Sequence, residues 1–78
     1  MKNGRFEELL KAFGTNVRKL RIQKGMTMEQ LAEQSELDYT QIARIEHGKV
    51  NTSVGIAHLI AKGLQIPLNE LFLFGHED

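Results

Sequence analysis

Two helix-start signatures, Thr27-Met28-Glu29-Gln30 and Asp38-Tyr39-Thr40-Gln41, constrain this chain more than anything else in it. Each sets an oxygen-bearing side chain three residues ahead of a glutamine. That is the spacing of a capping box, in which the first side chain accepts from the glutamine amide and the glutamine side chain reaches back. Helix two is therefore expected over roughly Met28 to Gln34, and helix three over about Tyr39 to His47, with Gly48 as its stop. Only Ser35-Glu36-Leu37-Asp38 separates them. Two short helices joined by so little chain cannot lie antiparallel, so they must cross steeply. The crossing needs a small residue, and Ala32 stands there, with Leu31, Leu37, Ile42 and Ile45 as the apolar wedge behind it. This is the spacing of a helix-turn-helix; a purely structural helical corner would carry it too.

The remaining pattern is also helical, and no stretch alternates cleanly enough for a strand. Leu9, Leu10, Phe13, Val17 and Leu20 recur at three- and four-residue steps, which predicts helix one from about Phe6 to Lys24, ended by Gly25. Gly14 is a weak point within it, where a kink or fray is expected. Helix four follows Thr52 or Ser53 and runs to about Leu64. Pro67 opens a short fifth helix through Leu71 or Phe72. The expected fold is all-α: five helices in one domain of 78 residues, near the lower limit for a single apolar core. Residues 1–12 form an N-terminal arm and the start of helix one, 13–72 the helical domain, and 73–78 a short tail.

No cysteine is present, which leaves no disulfide or thiolate metal site and makes a reducing cytoplasm the simplest home. No apolar run reaches the ~18 residues of a membrane span, so no membrane is expected. The formal charge is zero, which alone argues against nucleic acid. Residues 1–24, however, sum to plus five, residues 25–49 to minus three and residues 50–78 to minus two. A basic end on a neutral chain can meet phosphates, and it can equally be a solvated helix face.

The segments "NVRKLRIQKGMTMEQLAEQS", "IARIEHGK" and "IAKGLQIPLNELF" together resemble the Cro and phage-repressor type of regulator, the Xre family. The likeness spans about Phe13 to Phe72, and small restriction–modification controller proteins are one similar subgroup. The resemblance implies a lambda-repressor-like, DNA-binding transcription regulator. Such a regulator is usually a homodimer on a palindromic operator in double-stranded DNA, with helix three in the major groove. It also implies a structural ion pair between Arg21 and Glu46; consistently, Glu46 lies only ~40° around helix three from Ile42, toward the core. Phosphates and bases are met by Thr27, Met28 and Gln30, then by Tyr39, Thr40 and Arg44. Two positions depart from the pattern. Glu36 stands where glycine usually permits a left-handed turn, and Met28 where glutamine often clamps a phosphate.

Projected at ~100° per residue, Thr40, Arg44 and His47 lie opposite Ile42 and Ile45, with Tyr39 and Gln41 flanking them. Arg44 can fork onto guanine O6 and N7, and Thr40 and Gln41 can bond bases or phosphates. Tyr39 can pack on a thymine methyl. Lys24 and Lys49, at the edges of this face, suit phosphates. Exposed threonine, glutamine and arginine are also ordinary surface residues, and His47 beside Gly48 also favours a helix C-terminus.

No catalysis is expected. His47, His58 and His76 lack ligand spacing with carboxylates, so no metal is anticipated, and "GKVNTS" is wrongly composed for a phosphate loop. No cofactor motif occurs. The competing function is a protein-interaction module, an antitoxin-like or adaptor domain.

On helix four, Val54, Ala57, Ile60, Ala61 and Leu64 form the expected core stripe. Ile56, Leu59 and Gly63 fall at about 200°, 140° and 180° from Val54, on another side. Leu73 and Phe74 extend beyond Leu68, Leu71 and Phe72, which are expected inside. A second apolar stripe beside an apolar tail suits a dimer interface of Ile56, Leu59, Gly63, Leu73 and Phe74. Alternatively, Ile56 and Leu59 cover the N-terminal arm of their own chain.

Overall fold

The computed structural model describes residues 6–75; Lys2 and Arg5 of the expected basic arm and His76 of the tail lie outside the described residues. Among those described there are four α-helices and no strand: α1 (Glu7–Gln23), α2 (Met28–Ser35), α3 (Tyr39–Glu46) and α4 (Val54–Leu64). The fifth helix expected after Pro67 is instead a 3-10 segment, Leu68–Phe72. Five residues are too few to establish an α-helical ladder, and 3-10 geometry suits such short pieces. Its last carbonyls are claimed from elsewhere: the Asn16 amide on α1 donates to Glu70 O at 3.0 Å and Leu71 O at 2.9 Å.

Three of the four α-helix starts follow from a local oxygen. Thr27, Asp38 and Ser53 accept from the amides of Gln30, Gln41 and Ile56. The first two are full capping boxes, with both glutamine side chains reaching back. α1 has no side-chain cap, but Glu7 and Glu8 oppose the positive end of its dipole.

All four α-helices end in one way. The amides of Met26, Leu37, Lys49 and Ile66 return to the carbonyls of Arg21, Ala32, Arg44 and Ala61, the long bond of a Schellman turn. This ending needs a left-handed residue. Gly25 and Gly48 supply it freely, whereas Glu36 and Gln65, both with φ 59°, adopt it against their Cβ. At Glu36 the family resemblance implies such a turn; at Gln65 the sequence carries no such signal.

The core joins α1, α2, α3, α4 and the 3-10 segment through Phe13, Val17, Leu31, Ala32, Ile42, Ile45, Ala57, Ile60, Ala61, Leu64 and Leu71. Four expectations fail here. Val54 is 77% exposed, because the first turn of α4 projects beyond the elements it packs on. In the 3-10 segment only Leu71 is buried; a three-residue turn swings Phe72 sideways, where its ring meets Phe13 at 5.2 Å between centroids. Gly14 neither kinks nor frays α1. It is buried, and a Cβ there would strike Ile45 O and lie 2.7 Å from Glu46 O. Its missing side chain lets α1 touch the end of α3. Finally, Gly63 faces inward: a Cβ would run into the Ser35 hydroxyl and lie 3.1 Å from Ser35 N. α4 needs that glycine to approach the end of α2, so Gly63 belongs to the interior and not to a partner surface.

Candidate nucleic-acid interface

α3 sets one face into the protein and leaves the other to solvent. Ile42, Ile45 and Glu46 are buried, while Tyr39, Thr40, Gln41, Arg44 and His47 are exposed and Ala43 is half-buried. A buried carboxylate at Glu46 needs a cation, and Arg21 supplies it. Arg21 Nε donates to Glu46 Oε2 at 2.7 Å and Nη2 to Oε1 at 3.1 Å, a bidentate pair. Its third edge, Nη1, donates to Met26 O at 2.8 Å. One guanidinium thus anchors α3 to α1 and to the turn that launches α2. With Gly14 pressed on the same end of α3, the outward face has little freedom to roll.

Both capping boxes also dictate how two glutamines present themselves. Gln30 Oε1 accepts from Thr27 N at 2.8 Å, and Gln41 Oε1 accepts from Asp38 N at 3.2 Å. Thr27 Oγ1 and Asp38 Oδ1 accept from the backbone amides of Gln30 and Gln41, at 3.0 and 2.9 Å. Met28, expected to contact DNA, is half-buried and packs against the core. Its backbone amide lies in the first turn, where no helical acceptor exists. Lys24 and Lys49 are exposed.

Beside α3 runs a groove of about 290 Å³, walled by Gln41 and Arg44 on one side and by Val50, Asn51 and Ile56 on the other. The sequence pattern had not singled out Asn51; a polar loop residue five positions after Glu46 carries no periodic signal. Nor had it singled out Asn16, although an asparagine between Phe13 and Val17 on the buried stripe of α1 is a legible oddity.

The residues assigned to a dimer surface scatter. Ile56 and Leu59 are half-buried, Phe74 packs on the core, and Leu73 is 65% exposed. A separate apolar groove of about 260 Å³ lies between Leu9, Phe13, Val54, Phe72 and Phe74. Among the described residues, no helix is long and apolar enough to cross a membrane.

Two capped helices joined through a left-handed Glu36, the second locked by a buried ion pair with its polar face outward, define the class. The chain belongs to the helix-turn-helix family, which residues 17–71 match, and it is a DNA-binding transcription regulator. It is similar to the control protein C.MunI of a Mycoplasma species, 43% identical over 61 residues that cover 77% of this chain and 82% of that one. An HTH-type transcriptional regulator of Archaeoglobus fulgidus is 34% identical over 64 residues, covering 82% and 91%. Among solved structures, the restriction-modification controller protein C.AhdI from Aeromonas hydrophila superposes with a TM-score of 0.79 at 38% identity, covering 81% of this chain and 96% of that one.

Proposed function

We propose that this regulator binds a palindromic operator as a homodimer, each copy laying α3 in a major groove. The observation that carries the reading is the outward face of α3: Tyr39, Thr40, Gln41 and Arg44 all exposed on a helix whose roll is held by Arg21 and Gly14. Arg44 reads guanine, Thr40 and Tyr39 meet bases or phosphates, and Thr27, Gln30, Lys24 and Lys49 hold the backbone on either side. The organisation that follows is a DNA-binding unit over 13–72, with short segments at either end.

Dimerisation supplies the two-fold symmetry that a palindrome demands, with the two α3 helices about one DNA turn, roughly 34 Å, apart. The surface that suits it is the exposed apolar end formed by Val54, Phe72 and Leu73, flanked by Phe74. The half-buried Ile56 and Leu59 are the alternative.

Gel-shift titration of random duplex, followed by selection from a random pool, tests the whole reading. Binding should fall steeply with salt, and the selected sites should carry an inverted repeat. A chain that shifts no duplex at low salt would refute it. For the dimer, Val54→Asp should sediment as a helical monomer with weakened operator binding. A monomer produced by Leu59→Lys and not by Val54→Asp would move the interface to the other face.

A further inference from the structure

The capping box on α3 has a consequence for which bases the protein can choose. A glutamine that reads adenine does so with both ends of its carboxamide, accepting from N6 and donating to N7. Gln41 lacks that freedom. Its Oε1 faces the backbone N–H of Asp38 at 3.2 Å, and its own amide donates to Asp38 Oδ1 at 2.9 Å. Turning the carboxamide over would set its NH2 against an N–H, donor to donor, and open the box. Nε2 takes no part in the box, and Gln41 is exposed. We propose that Gln41 is a specificity residue whose capping box turns its side-chain donor outward, so that it selects a keto oxygen, on guanine or thymine, over the two-point contact with adenine.

This rests on the operator reading above and sharpens it. Gln41 walls the same groove as Arg44, three residues on, and arginine has donors and no acceptor. The two side chains together require acceptors along one strand edge. The amino groups of adenine N6 and cytosine N4 present donors there and are refused. Gln30, held in the same kind of box at the start of α2, likewise keeps its side-chain donors out of the box, which matches phosphate oxygens.

The test uses the full chain and the duplex it selects from a random pool. Gln41→Glu retains the box, because glutamate serves the same position, and it replaces the outward donor with an acceptor. Gln41→Met removes the amide at equal length. Affinities are measured on the selected duplex and on duplexes lacking one keto oxygen or one exocyclic amino group at a time. At one pair of each half-site, deleting a keto oxygen should weaken the wild type roughly two- to tenfold, the range of a single hydrogen bond. The same deletion should leave both variants unchanged relative to their own binding of the intact site. If wild type and variants differ instead at an amino group, Gln41 accepts from the base and the proposal is overturned. If Gln41→Glu weakens every duplex equally, with no base position singled out, the contact is to phosphate and the proposal is overturned as well. A wild type that selects no sequence would overturn the operator reading itself.

Discussion

Gly14→Ala separates helix propensity from packing, because the two predict opposite signs. In a free helix, replacing an interior glycine by alanine gains about 0.8–1.0 kcal/mol. In this fold the new methyl would meet Ile45 O and stand 2.7 and 2.9 Å from Glu46 O and C. These are backbone atoms, and no rotamer change relieves them. The end of α3 must retreat from α1, and overpacking of this kind costs about 1–3 kcal/mol. With three backbone atoms in the way the upper end applies, leaving a net loss of ~2 kcal/mol after the propensity gain. For a domain of this size that lowers the melting midpoint by roughly 8–16 °C. Gly55→Ala is the internal control, since its Cβ would meet only Ser53 Oγ at 3.9 Å; it should be neutral or mildly stabilising. Urea titrations followed by circular dichroism report both. A midpoint raised by Gly14→Ala would show that α1 and α3 do not touch there, and the argument that this contact holds the reading face would collapse.

Removing either Arg21 or Glu46 strands a buried charge and should cost about 3–5 kcal/mol by denaturant titration, whereas the double replacement by apolar residues should cost less than the two singles added. Glu36→Gly and Gln65→Gly each relieve a left-handed residue and should raise stability by about 1 kcal/mol; a lowered midpoint for either would contradict the turn geometry. Arg44→Ala should relax preference at one base pair of each half-site, losing about 1–3 kcal/mol on the preferred site alone. Lys49→Ala should instead weaken all duplexes and flatten the salt slope.

Local chemistry was the most legible part of the sequence. Both capping boxes act over four residues and depend on nothing distant, so the starts of α2 and α3 fall at the expected residues. The left-handed turn at Glu36 was legible only through the family resemblance, in which glycine usually fills that position. Where the outcome depended on a neighbour, periodicity ran out. The angular projection of α4 fixes the relative directions of Val54, Leu59 and Gly63, yet which elements cover each turn is a tertiary matter. Val54 consequently projects past the core, while Gly63 is enclosed by Ser35. Gly14 was misread because a glycine inside a helix looks the same in sequence whether it is a weakness or a contact. The polar face of α3 followed from its apolar face, and the two roles of Gln41, in the capping box and on the reading face, were both legible; the bond to Asp38 shows that they constrain each other.

The clasp between Asn16 and the carbonyls of Glu70 and Leu71 spans 54 and 55 residues of chain. Leu71 is wholly buried, so the core stays open on one side until that residue arrives. A growing polypeptide can cap α2 and α3 as soon as they are made, since those contacts are local. It cannot close the interior until its seventy-first residue is free of the ribosome. A nascent chain halted at Pro67 would display helices without a sealed core, poorly suited to hold α3 against a groove.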